Sequence, residues 1–204
     1  MSTLLASILL NTSLGIRPPP DYREEKVQEV LTELDALSSS GRLSEVIERG
    51  ASFEESFEPT SDVAYEMGLA ANRLGNRADA FFHYRRAIEL EPGHAAARYD
   101  RGELWLLEDD LGSAKEDFEM AAIHRPEHWA AHFRLAHVAA AEGDTVGMES
   151  HLDRAIATGL NFQLLEADPE WRTWASDEDR GPVLKRVILR YSNEETWKRM
   201  GAEP

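Results

Sequence analysis

Apolar residues along this chain recur three and four apart in short runs, and polar turns interrupt them at even intervals. In "SDVAYEMGLAANRLGNRADAFFHYRRAIELEPGH" (61–94) one such run ends near Gly75, and a second ends before Pro92. Each run has the length of a short amphipathic helix, so the segment predicts a helix pair. The pattern then returns without a gap in "AAARYDRGELWLLEDDLGSAKEDFEMAAIHRPEH" (95–128) and "WAAHFRLAHVAAAEGDTVGMESHLDRAIATGLNF" (129–162), a period of 34 residues.

The columns of this repeat carry their own physical reading. Gly68 aligns with Gly102, Ala80 with Ala114, Tyr84 with Phe118, Ala87 with Ala121, Pro92 with Pro126 and His94 with His128. The third copy keeps Leu135, Ala136, Gly143, Leu152 and Ala155 in matching columns, but puts Met148 at the second small position and Leu160 in place of the proline. Small residues at repeat positions 8, 20 and 27 mark where two helices cross closely. Gly75 and Gly143 take the turn, with Asp109 in that column of the middle copy. Ser113 and Glu116 read as a capping box, and Pro92 and Pro126 close the second helices.

The pattern extends beyond the three copies. Residues 22–38 and 43–57 read as a degenerate helix pair. Gly41 there takes the turn column, while Val46, Gly50 and Phe53 replace the usual residues. Downstream, Pro182 suits a first helical turn, and Val183, Leu184, Val187, Ile188 and Tyr191 recur at helical spacing. Ser192 and Glu195 are placed to cap one more short helix. Upstream, "LLASILL" (4–10) is an amphipathic strip followed by the stiff spacer "RPPP".

The 34-residue spacing with its Gly/Ala/Pro columns resembles the tetratricopeptide repeat across 61–162. Ala64, Arg98 and His132 stand where that family often has tryptophan. The segment with Leu164, Leu165, Asp168, Pro169, Trp171 and Trp174 resembles the end-of-group cap that closes some bacterial arrays of these repeats. The resemblance implies an all-α, right-handed solenoid of helical hairpins. Its expected organisation is an N-terminal apolar segment and proline spacer (1–20), a degenerate capping pair (21–60), repeats at 61–94, 95–128 and 129–162, and a C-terminal cap (163–204).

The resemblance also implies a binding groove lined by the first helix of each repeat. Carried over position by position, the groove comprises Tyr65, Leu69, Asn72 and Arg73, then Tyr99, Glu103, Leu106 and Leu107, then Phe133, Arg134 and His137. A ladder of three aromatics beside leucines fits an apolar or amphipathic peptide or helix. The family's clamp for a C-terminal carboxylate finds only Arg134 in place, and Asp100 would repel such a ligand.

Charge and composition narrow the function classes. Lys and Arg number 22 against 38 Asp and Glu, a net charge of −16 that argues against nucleic acid and anionic membrane partners. Residues 183–200 are locally basic. The absence of cysteine excludes disulfides and thiol chemistry. No apolar run approaches the ~20 residues of a membrane-spanning helix. The first 20 residues lack the basic start and the cleavage site of a secretory signal, so the expected location is cytoplasmic.

"HRPEH" (124–128) fits the H-x-x-E-H metalloprotease pattern, but Pro126 separates the two histidines that one helix face would have to present. The expectation is therefore a non-enzymatic scaffold or adaptor with no catalytic residue, metal or cofactor, whose partner is another protein or the chain's own terminal segment. Self-assembly into a homo-oligomer is the first alternative. A metal-dependent hydrolase built on His124, Glu127 and His128 is the remote one.

Overall fold

The computed structural model describes residues 20–201, and every regular element among them is a helix. They form two compact units that divide at Pro92/Gly93. The first holds α1 (Pro20–Ser39), α2 (Leu43–Ser56), α3 (Ser61–Arg73) and α4 (Arg77–Leu90). The second holds α5 (Ala95–Leu107), α6 (Leu111–His124), α7 (Trp129–Glu142), α8 (Thr145–Ala157), α9 (Phe162–Ala167), α10 (Pro169–Ala175), α11 (Arg180–Tyr191) and α12 (Glu194–Arg199). The strip at 4–10 and its proline spacer lie outside the described residues.

Helix starts follow a capping rhythm of their own. Asn76, Asp110 and Asp144, spaced by the repeat, each accept a backbone N–H through the side chain and begin the second helix of their hairpins. The expected Ser113/Glu116 box does not form. Asp110 Oδ1 takes the Ser113 N–H at 3.0 Å, and the Ser113 hydroxyl donates to Asp110 Oδ2 at 2.7 Å, because the helix starts two residues before Ser113. Thr60 and His94 cap first helices, His94 by accepting the Ala97 N–H on Nδ1 at 3.0 Å. In the degenerate pair the corresponding position is Arg42, which makes no side-chain cap. The left-handed turn conformation falls at Gly41, Gly75 and Gly143, and Asp109 is forced into it with φ +60°.

Within each hairpin one small residue meets one large one. A Cβ on Gly68 would lie 2.6 Å from the Tyr84 ring, and one on Gly102 2.7 Å from Phe118. The third hairpin keeps the helices close with Ala136 and the smaller Leu152, both buried. The degenerate pair exchanges the two roles: fully buried Leu34 takes the small column and Gly50 the large one, with Met67 filling the space over Gly50. The first unit's core is Val30, Leu34, Val46, Phe53, Val63, Met67 and Ala70.

The C-terminal helices share one core with the last hairpin. Trp171, Leu184, Val187, Ile188, Trp197 and Met200 pack in the same cluster as Ala136, Met148 and Leu152. Pro182 falls at the third residue of α11, and α12 is capped by Asn193, which accepts the Thr196 N–H, rather than by Ser192. Three of the five cations in the locally basic stretch are paired inside the unit. Arg186 and Arg190 pair with Glu149, Arg190 also with Asp153, and Arg199 with Glu166. Hydrogen bonds from Arg186 and then Arg190 outweigh desolvation and draw the Glu149 carboxyl down to about 2.

Candidate partner-binding face

In the first unit the residues implied by the resemblance lie on α3. Tyr65 and Leu69 are half-buried, and Asn72 and Arg73 are exposed near the helix end. The Tyr65 ring leans on Tyr84 at 6.0 Å. Arg73 reaches back to α1, donating through Nη1 to Ser38 Oγ at 2.7 Å and to the Ser38 carbonyl at 3.2 Å. The face also includes residues absent from the expected set. Leu31 and Asp35 of α1 precede Tyr65 and Leu69 by one repeat length, and Leu31 is half-buried like its counterpart. Glu66 sits between Tyr65 and Met67 with its carboxyl pushed up, first by burial and then by Asp35 and Asp62. The signal for Leu31 was present in the period itself; it was hidden because the degenerate pair has lost its other columns.

In the second unit α5 and α7 place Tyr99, Glu103 and Arg134 together. Arg134 Nη2 donates to Glu103 Oε2 at 2.7 Å. Burial, and secondarily Glu103, push the Tyr99 hydroxyl up to about 12, against the opposing pull of Arg134. Burial alone would lower the Arg134 guanidinium, but Glu103 and Tyr99 together hold it raised. Arg134 is therefore committed to an internal network and is not a free cation awaiting a carboxylate. Leu106 is half-buried and Leu107 is 61% exposed.

The third repeat departs from the expected groove. Phe133 is only 8% exposed and stacks on Trp171 at 5.7 Å. His137 pairs through Nε2 with Glu170 and sits edge-on to Trp174 at 5.1 Å. Arg180 Nε donates to the Ala140 carbonyl at 2.6 Å. Two of the third-repeat positions that the resemblance assigns to a ligand, Phe133 and His137, are thus covered by α10, and the start of α11 lies on the neighbouring Ala140 carbonyl. The physical reason is exposure. α7 is the most apolar of the first helices, with eight buried residues, and an array that stopped there would leave that face in water.

A second polar cluster escaped the sequence reading. Asp117 on α6 is 2% exposed and takes a two-point ion pair from Arg101 at 2.7 and 2.8 Å, with Arg98 at 3.4 Å. One acid among others on an amphipathic helix gives no signal for this; it takes the facing helix to supply two guanidiniums.

The H-x-x-E-H pattern is spread over three pieces of structure. His124 ends α6, Arg125 to Glu127 form the turn, and His128 precedes α7 at its cap position. Among the described residues no group of three or more metal-ligating side chains comes together. No helix of the described residues is long and apolar enough to cross a membrane.

No protein-family model matches this chain. Over 102 residues, half of the chain, it is 28% identical to the probable biofilm formation methyltransferase WspC of Pseudomonas putida, and it spans only 24% of that protein's length. Among solved structures, MamA from Desulfovibrio magneticus RS-1 matches with a TM-score of 0.67 at 14% identity, over 87% of this chain and 98% of that one. YrrB, described as a TPR protein with an unusual peptide-binding site, matches with a TM-score of 0.53 at 17% identity, over 78% of this chain and 93% of its own. With the 34-residue hairpins, the small-to-large contacts at each crossing and these neighbours, the chain has the all-α tetratricopeptide-repeat solenoid fold.

Proposed function

We propose that this chain is a non-enzymatic protein-interaction module, a scaffold or adaptor whose first helices take up an apolar or amphipathic helix or peptide. Tyr65 and Leu69 would carry such a contact within the first unit, and Tyr99, Leu106 and Leu107 within the second. One observation internal to the molecule supports this most. On the third repeat the corresponding columns are filled by a short helix presenting Trp171 and Trp174, with Glu170 on His137. The first two repeats leave those columns half-open.

A partner with an aromatic anchor gains the burial that Trp171 has, on the order of 150–250 Å² per ring at roughly 25 cal/mol per Å². The receiving helices are already ordered, so little of that gain is lost to reorganising them. Asp35 and Glu66 beside Leu31 and Tyr65 favour a partner with a basic residue next to its apolar anchor. YrrB, a neighbour in fold, is a peptide binder by its description, which agrees with this reading. The methyltransferase activity in WspC's name belongs to a protein of which this chain spans about a quarter. We read that likeness as one of repeats, since the matched length equals three of them.

The test is selection of peptides from a displayed random library on the full chain, followed by affinity measurement on the wild type and on Tyr65→Ala/Tyr99→Ala. The selected peptides should share an aromatic or leucine anchor, and the double variant should bind them at least about tenfold more weakly. Equal affinity would place the binding surface elsewhere. Phe133→Ala is unsuitable for this purpose, because that ring is part of the core.

A further inference from the structure

Repeat positions 4 and 23 face each other across the two helices of a hairpin. In the second repeat they hold Arg98 on α5 and Asp117 on α6, an ion pair at 3.4 Å. In the third they hold His132 on α7 and His151 on α8, whose rings stack 6.2 Å apart at an interplanar angle of 23°. The same architecture thus sets opposite charges against each other in one hairpin and two bases in the next. Both imidazoles are half-buried, and neither takes part in an ion pair among the described residues.

The charged and polar groups around the pair come from each element that packs on it. Arg154 on α8 and the Pro126 carbonyl in the preceding turn face His132. Lys115 on α6, itself 3.1 Å from Glu142, faces His151, as does Asp144 in the α7–α8 turn. Two cations, one of them paired with Glu142, and the Asp144 carboxylate therefore act on the two rings.

We propose that the His132–His151 pair is an acid-sensitive latch: neutral and stacked, it lets α7 and α8 close, and on acidification it sets two cations face to face and loosens the third hairpin. The consequence reaches the C-terminal segment, because α7 carries the Phe133 and His137 side chains on which Trp171 and Trp174 rest. Loosening would uncover the part of the first-helix face that the chain otherwise keeps for itself.

The direction follows from linkage. Burial lowers the pKa of both imidazoles, of His132 against the Pro126 carbonyl and of His151 with help from Lys115. A group lowered in the folded state stabilises fully above its unfolded value of about 6.5, and the contribution is lost as pH falls below that toward the folded value.

All five tryptophans, Trp105, Trp129, Trp171, Trp174 and Trp197, lie in the second unit, so tryptophan fluorescence reads that unit alone. The experiment is urea unfolding of the full chain followed by this signal at about pH 7.5 and about pH 5.5, on either side of the free imidazole value. The wild-type midpoint should fall on acidification, and His132→Gln/His151→Gln should lose at least half of that fall. His151→Asp should reverse its sign, because a carboxylate then faces His132 as Asp117 faces Arg98. The unit's other histidines, His94, His124, His128 and His137, are unchanged in every variant and cancel in the comparison. A glutamine double variant that keeps the whole wild-type fall, or a wild type with no fall, overturns the latch. Should His151→Asp fail to fold, the glutamine pair still decides.

Discussion

The second and third repeats use one backbone plan for two purposes. On the second, Tyr99 stays half-open beside Leu106 and an exposed Leu107. On the third, Phe133 is shut under Trp171, and the adjoining His137 is held by Glu170 and Trp174. The crossing columns differ in step: Gly102 receives Phe118, while Ala136 and Leu152 fill those columns in one buried cluster. The turns differ too, with strained Asp109 in one and Gly143 in the other. A repeat position therefore fixes where a side chain points, and the neighbouring element decides whether that side chain is core or surface.

The comparison breaks most visibly at Trp171. Trp171→Ala removes a fully buried ring and should cost about 3–5 kcal/mol of the second unit's stability. Leu107→Ala, at the open face, should change it by less than about 0.5 kcal/mol. Denaturant titration followed by circular dichroism separates the two; similar losses would mean that the second repeat's face is packed as tightly as the third's.

The crossing contacts provide a sharper cut. Gly102→Ala drives a methyl to within 2.7 Å of Phe118 and should cost about 1–3 kcal/mol. Adding Phe118→Leu rebuilds the Ala–Leu pairing of the third repeat and should recover part of that loss. A double-mutant cycle with no favourable coupling would deny that the two columns set each other's size.

The ion pairs that fasten α11 to α8 rank next. Glu149 is held low by Arg186 and Arg190, so its contribution is complete above the free carboxylate value and disappears as pH falls through about 2. Because both arginines are largely exposed, Glu149→Gln should cost only about 0.5–1 kcal/mol near neutrality, and less in high salt. Unfolding midpoints over a salt and acid series test this; a loss independent of salt would mean that packing, not charge, is what Glu149 supplies.

The smallest expected effect lies in the turn. Asp109→Gly relieves a left-handed aspartate and should stabilise the second unit by about 0.5 kcal/mol, the glycine's own chain entropy offsetting part of the relief. Gly143→Asp should move the third repeat the other way. Thermal midpoints of the two variants read the pair directly, and a destabilised Asp109→Gly would show that the aspartate makes up for its strain through contacts of its own.

Local rules made much of this molecule legible beforehand. The 34-residue period gave the hairpins, and the turn column put Gly41, Gly75, Asp109 and Gly143 where the chain turns left-handed. Gly68 and Gly102 announced close crossings, and Pro126 announced that His124 and His128 would not share a helix. Each of these is a property of a residue and its near neighbours in sequence, such as backbone freedom, a missing donor or the spacing of apolar side chains. That is why reading along the chain was enough.

What a side chain meets across tens of residues was settled only by tertiary structure. Phe133 and Tyr99 occupy the same column, yet only Phe133 is shut, because α10 arrives 38 residues later to cover it. Asp117, an unremarkable acid in sequence, is buried between Arg98 and Arg101, whereas His151 in the equivalent position meets another histidine. The three arginines of 183–200 are not a free basic surface, because Glu149, Asp153 and Glu166 face them. Burial and charge pairing are properties of what packs against a residue, so the sequence determined the repeating frame, and packing decided which of its positions remained open.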